Sequence, residues 1–236
     1  MHHIDLNPVY ILHTRPFRNT SLIVELFSKN YGRISAVARS ARGLQSRYKG
    51  QLQLFTPILA SWFGQHELKT LGNSELNGMP LQLNQKPLFC AFYFNELLMR
   101  LLHKEDAHPA LFDFYHESLV QLQNSVSVRN NVAIILRLFE KKLLEELGYA
   151  LPLTHEAKTR VPIQPDRYYE FVPNQGFFLC DSHGNPHCFL GAYLIAMSQD
   201  KFDDESVALS AKRLMRFALT FLLGNKPINS RELFHT

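Results

Sequence analysis

The chain has 236 residues, 46% of them apolar and 19% charged, which is enough for one large or two small self-sufficient cores and too apolar for a disordered chain. The formal charge of +4 is concentrated: residues 1–80 hold nine Lys/Arg against four Asp/Glu, so the N-terminal third carries all of the net positive charge. The N-terminus lacks the cationic and apolar regions of a secretory signal, the apolar runs are too short for a membrane span, and Cys90, Cys180 and Cys188 are too few for a disulfide framework, so a cytoplasmic protein is expected.

In chain order, the first 80 residues read as β. Val9–Leu12 is β-prone and is closed by Arg15-Pro16; Ser21–Ser28 is a second run, and Lys29–Gly32 a turn. Arg33–Arg39 places Ile34, Ala36 and Ala38 on one face, after which Ser40–Gly50 is a polar, basic loop. Leu52–Phe55, Ile58–Phe63 and Glu67–Leu71 follow, separated by Pro57 and Gly64. Short strands with turn signals between them predict a small barrel or sandwich.

From Pro87 the spacing becomes helical through Leu88, Phe92, Leu98, Leu101 and Leu102, and further helices are expected from Pro109 to about Leu122 and from about Asn131 to Leu147, before Gly148. Residues 150–190 are broken by five prolines, with a hairpin expected from Tyr168–Val172 and Phe177–Leu179 around Pro173-Asn174-Gln175-Gly176. Gly191–Met197 reads as a short helix, and a last one runs from about Ser206 to Leu223. The fold class is therefore α+β with two domains: a barrel over 1–80, then a mainly helical domain over 81–236 with an irregular hairpin insert at about 150–190.

No phosphate-binding, nucleophile-elbow or zinc-protease motif is present, and neither Glu145-Glu146 nor Asp203-Asp204-Glu205 reads as a catalytic pair; the second belongs at a helix N-terminus. A non-enzymatic protein without cofactor is expected. Cys180, His183, His187 and Cys188 are zinc-compatible types, but their spacing is not that of a common finger, so no metal is assigned.

The informative stretch is Phe27 to His66, which contains no acid and carries Lys29, Arg33, Arg39, Arg42, Arg47 and Lys49. Such a segment attracts polyanions. Aromatics accompany it, namely Phe17, Tyr31, Tyr48, Phe55, Trp62 and Phe63, and single strands are gripped by cationic grooves with stacking rings. Tyr31 and Tyr48, each beside Arg or Lys in a polar turn or loop, are the stacking candidates. Arg39, Arg42, Arg47 and Lys49 are assigned to phosphates, with Arg15, Arg18 and Arg33 widening the surface.

Ordered blocks along nearly the whole chain resemble the bacterial DNA repair protein family RecO. They include Tyr10-Ile-Leu-His-Thr-Arg-Pro-Phe17, Gly32-Arg33-Ile34, Ala38-Arg-Ser-Ala-Arg42, Phe55-Thr56-Pro57, Tyr93-Phe-Asn-Glu-Leu-Leu98, Leu136-Arg-Leu-Phe-Glu140, Ala211-Lys-Arg-Leu-Met-Arg216 and Lys226-Pro-Ile-Asn-Ser-Arg-Glu-Leu-Phe234. The resemblance implies an OB-fold barrel, binding of single- and double-stranded DNA, annealing, and help in loading RecA onto DNA coated with single-stranded DNA-binding protein (SSB), together with RecR, at the nucleoid in the RecF pathway. It also implies a site for the acidic tail of SSB on the helical domain, for which Arg137, Lys141, Lys212, Arg213 and Arg216 are the candidates; Arg137 could instead pair with Glu140 or Glu145. Many members carry a four-cysteine zinc module after the position of Tyr149, whereas this chain reads Pro152-Leu-Thr-His-Glu-Ala-Lys158 there. The rival readings are a protein scaffold that does not bind DNA and, with less support from the sequence, a metal-dependent nuclease.

Overall fold

The computed structural model describes residues 3–125, 131–181, 185–224 and 226–235. The chain forms two compact units, one of Met1–Val126 with Ile228–Thr236 and one of Ser127–Pro227.

The first unit begins with five strands: β1 (His3–Phe17), β2 (Ser21–Ser28), β3 (Gly32–Ala38), β4 (Ile58–Phe63) and β5 (Leu68–Leu76). They close into a barrel in the order β1-β2-β3-β5-β4, with β3 and β5 parallel and every other pair antiparallel. This is the order of an OB fold. Alternation sets the inside: Val9, Ile11, Val24, Leu26, Ile34, Ala36, Ala38, Ile58, Ala60, Trp62 and Leu71 point into one core. β1 can serve both β2 and β4 because it is 15 residues long and irregular between Ile4 and Asn7 and between Ile11 and His13.

Two sequence expectations are corrected here. Leu52–Phe55 is not a strand: Leu52 and Leu54 pack partly buried on the barrel core from a run of turns. The basic loop over 40–50 is also not wholly polar, because Tyr48 is buried in that core and closes the barrel as a lid.

Helices α1 (Lys86–Leu101) and α2 (Pro109–Asn124) complete this unit. Each has a proline in its first turn, where a missing N–H costs nothing. The barrel's outer face offers Tyr10 and Phe27, which pack on Phe112 and Tyr115 of α2 with ring centroids 5.1–6.0 Å apart. Beneath them, Asn95 of α1 donates to the carbonyl of Leu12 (2.9 Å) and accepts from the Tyr115 hydroxyl (2.6 Å).

A 3-10 helix, Asn229–His235, also belongs to this unit. Glu96 of α1 accepts from the N–H groups of Asn229 (2.9 Å) and Ser230 (2.8 Å), Phe234 meets Phe89 at 5.9 Å, and Arg231 lies over Tyr93 at 5.8 Å. Desolvation pushes the Glu96 carboxyl up, but the hydrogen bonds from Ser230 and Asn229 and the charge of Arg100 outweigh it, and its pKa is lowered. A lowered carboxylate stabilises above its unfolded pKa and loses that contribution as pH falls through the folded value. Acidification below about pH 4 should therefore release the 3-10 helix before the barrel unfolds. Amide exchange at Asn229 and Ser230 reads this directly, and Glu96→Gln should show the same faster exchange at neutral pH.

The second unit has α3 (Asn131–Glu146), a sheet of β6 (Tyr168–Val172), β7 (Gly176–Cys180) and β8 (Cys188–Leu190) in the order β7-β6-β8, then α4 (Gly191–Ser198) and α5 (Glu205–Leu223). The expected hairpin is β6–β7; β8, only three residues long, carries no pattern of its own and forms by pairing with β6. As the acidic run suggested, Asp204 caps α5, accepting from the N–H of Ser206 (2.9 Å) and Val207 (3.0 Å). Among the described residues no helix is long and apolar enough to cross a membrane.

Candidate nucleic-acid interface

In the OB architecture the face of strands 2–3 and the loops joining strands 1–2 and 4–5 are where oligonucleotides lie. In this barrel the lower part of that outer face is covered by α2, and the upper part is open. β3 ends there at Ala38, β1 ends at Phe17, and the turn Arg18-Asn19-Thr20 joins β1 to β2.

A groove at this end is lined by Phe17, Arg18, Ser21, Arg39, Leu68 and Thr70, among others. Arg18 and Arg39 are exposed, and the Arg18 guanidinium lies over the Phe17 ring at 5.3 Å. Two exposed arginines, Lys69 paired with Glu105 (2.7 Å), one half-buried ring and several hydroxyls thus share one open surface, the combination that holds a phosphate backbone with a stacked base. Phe17, Ser21 and Thr70 are not in the set assigned from sequence. Phe17 was legible by period: it lies two residues after Arg15 on β1, hence on the same outward face.

Arg15 opens onto the neighbouring groove with Glu25, Ser35, Glu67 and Lys104. That surface is balanced in charge. Ser35 donates to Glu25 (2.8 and 2.9 Å), and Lys104 pairs with Glu67 at 2.5 Å, which holds the Glu67 carboxyl below its usual value.

Arg42 is exposed yet engaged. Its guanidinium donates to the carbonyls of Arg18 (2.8 Å), Asn19 (2.8 Å) and Ser21 (3.3 Å), and its backbone N–H donates to Thr20 (2.8 Å). It clamps the β1–β2 turn, in which Arg18 has a left-handed φ of 51°. Arg33 is half-buried and donates to the carbonyl of Met99 in the last turn of α1, satisfying a helix-end acceptor. Arg47 lies over the Tyr48 ring (4.8 Å) and donates to its hydroxyl (2.7 Å). Lys49 is exposed on the same loop.

Of the two stacking candidates, Tyr48 is corrected: it is 3% exposed, with its hydroxyl donating to the carbonyls of Leu71 and Gly72, so no base can reach its faces. Tyr31 is 37% exposed, but it lies at the far end of the β2–β3 hairpin, the seven residues of β3, or roughly 20 Å, from Arg39.

Comparison with known proteins agrees with the barrel-plus-helices layout. Residues 4–79 match the family model "Recombination protein O N terminal" and residues 86–232 match "Recombination protein O C terminal". The chain belongs to the RecO family. It is similar to the DNA repair protein RecO of Coxiella burnetii strain RSA 493 / Nine Mile phase I, 48% identical over 98% of this chain and 97% of the relative. It is also similar to the RecO proteins of Aromatoleum aromaticum, at 39% over 98% and 95%, and of Nitrosospira multiformis, at 40% over 97% and 94%. Membership assigns the chain a role in DNA repair and recombination.

The basic residues of the second unit divide into two groups. Arg137 pairs with Glu140, itself 2% exposed, through Nε (3.1 Å) and Nη2 (3.1 Å). Lys141 pairs with Asp200 (2.5 Å) and donates to the carbonyl of Met197 (3.0 Å). Arg213 lies over the Phe189 ring (4.5 Å) and donates to the carbonyl of Cys188 (2.8 Å). Lys212 and Arg216 stand exposed on α5. The sulfurs of Cys180 and Cys188 approach each other with their Cα atoms 7.1 Å apart, and His187 stacks on Phe217 at 3.9 Å. Among the described residues no group of three or more His, Cys, Asp or Glu could hold a metal ion; His183 lies outside the described residues.

Proposed function

We propose that this chain binds single- and double-stranded DNA on the open end of its barrel, anneals complementary strands, and acts without catalysis as a mediator that helps RecA load onto SSB-coated DNA together with RecR. The observation that carries the reading is the groove in which Arg18 and Arg39 flank Phe17, with Arg15 beside it, on the face that OB folds use for oligonucleotides. Arginine contacts to phosphate release counterions and carry little sequence information, which suits a protein that must accept any strand. Screening phosphate repulsion on two strands at once speeds their pairing and needs no reacting group.

The test is binding of a labelled single-stranded oligonucleotide at several salt concentrations. Three phosphate contacts on a single strand correspond to a log–log salt slope of about −2. Reversing Arg18 and Arg39 to Glu should remove most of the binding and flatten the slope. Wild-type binding that barely responds to salt would overturn the phosphate assignment and bring the protein-scaffold reading forward.

The geometry separates the candidates for the acidic SSB tail. Lys212 and Arg216 are exposed cations on one helix and can meet a carboxylate-rich peptide directly; Arg137, Lys141 and Arg213 already hold partners within the unit. Titration with a tail peptide should be weakened several-fold by the double reversal of Lys212 and Arg216 to Glu. Unchanged affinity in that variant would move the tail elsewhere on the unit. Arg137→Ala is the poorer test because it also removes a partner of buried Glu140.

A further inference from the structure

We propose that the barrel's open mouth between β3 and β5 is a pocket for one nucleobase of the bound strand, distinct from the arginine groove; the proposal rests on the reading that the barrel binds DNA. The mouth exists because β5 pairs with β3 only over Ser35–Val37. The first residues of β3 run instead beside the segment after α1, where Arg33 bridges to Lys104 and the N–H of Glu105 donates to the carbonyl of Arg33. This leaves a cavity of about 350 Å³. Barrel mouths of this size, apolar with a few polar groups at the edge, are habitual ligand sites.

The lining matches a base in three respects. Ile4, Ile34 and Trp62 form an apolar wall, of which Ile34 and Trp62 are each 2% exposed, so the face open to a base is the Tyr31 ring, which stands perpendicular to Trp62 at 5.4 Å and is 37% exposed. Asn30, whose side-chain amide donates to Asn7 (3.0 Å), and Gln65 also line the mouth and are the polar side chains that can meet the hydrogen-bonding rim of a base. The single cation, Lys69, is paired with Glu105 at 2.7 Å, so the mouth is balanced in charge and suits a neutral planar group rather than a phosphate. Lys69 also lines the arginine groove, which makes the two surfaces continuous along β5. From Arg39 back to Ile34 is five residues of strand, roughly 17 Å, a span of a few nucleotides.

The only tryptophan in the chain, Trp62, reports on this pocket. The full-length protein is titrated at low salt with a short oligothymidylate and with an oligomer of equal length whose sugars carry no bases. Binding is read by anisotropy and the pocket by Trp62 emission. The expected result is that both oligomers bind, that only oligothymidylate changes Trp62 emission, and that it binds about tenfold more tightly. Tyr31→Leu, which keeps apolar cover on Trp62 but removes the aromatic face, should abolish the Trp62 response and reduce the preference to what stacking on Phe17 supplies, and leave affinity for the base-free oligomer unchanged. If both oligomers bind equally and Trp62 is silent, the pocket proposal fails while the DNA reading stands. If neither oligomer binds, both fail together.

Discussion

Gly32→Ala is expected to destabilise the barrel unit by about 3 kcal/mol, lowering its melting temperature by roughly 10 °C. Two terms add. Gly32 has φ +65°, a conformation that costs an L residue about 1 kcal/mol. A Cβ there would also stand 1.8 Å from the carbonyl oxygen of Asp106, a backbone atom that cannot swing aside as a side chain can. Relief would require moving the segment that runs beside the start of β3, where Glu105 donates to Arg33 and also pairs with Lys69. Gly50→Ala is the internal control. Its φ is +77°, yet no atom lies within 4 Å of the added carbon, so only the backbone cost of about 1 kcal/mol applies. Thermal unfolding of the two variants should differ by about 2 kcal/mol. Equal losses would mean that the close approach at Asp106 relaxes freely.

The same region shows why some of the fold was legible in the sequence and some was not. The barrel strands announce themselves by period: Ile34, Ala36 and Ala38 alternate with Ser35 and Val37, and the structure puts the first set inside. The proline-started helices and the acidic cap of α5 are local signals and were equally readable. Three-residue β8 and the 3-10 helix of Asn229–His235 have no such period; they form because β6 and Glu96 offer partners far away in sequence.

The candidate site divides along the same line. Charge is visible in a sequence, but what each charge touches is not. Arg18 and Arg39 stand open, whereas Arg42 turns back on three carbonyls of the β1–β2 turn and Arg33 serves the end of α1. Tyr48 sits among polar and basic neighbours, which marks a loop, and only the three-dimensional arrangement reveals that the loop folds in to cover the barrel. Arg42 therefore has a separate expected signature. Arg42→Ala should weaken DNA binding by loosening the turn that carries Arg18, with little change in salt slope, whereas loss of a true phosphate contact lowers the slope by about 0.7.

The second large effect is expected at Asn95. This residue is 4% exposed and ties three elements together, donating to the Leu12 carbonyl of β1 and accepting from Tyr115 of α2 while itself standing on α1. Asn95→Leu keeps the branch at Cγ but is larger by about two methylenes, so an overpacking cost of about 1 kcal/mol or more adds to the loss of hydrogen bonding. It leaves the Tyr115 hydroxyl and the Leu12 carbonyl without the partner each has now, in a site where Tyr115 is fully enclosed by Tyr10 and Phe27. The loss of two buried hydrogen bonds together with the overpacking makes a cost of about 3–4 kcal/mol. The decisive measurement is a double-mutant cycle. Tyr115→Phe removes the same bond from the other side, so in the Asn95→Leu background it should cost less than it does alone, with a coupling of about 1 kcal/mol. Simple additivity would show that the Tyr115–Asn95 bond contributes nothing net. The consequence reaches the groove proposed for DNA, because Leu12 lies three residues before Arg15 and five before Phe17 on the same strand. A β1 no longer fastened to α1 presents those side chains over a wider range of positions. Oligonucleotide affinity of the folded Asn95→Leu protein should therefore fall even though no group that faces the strand has changed.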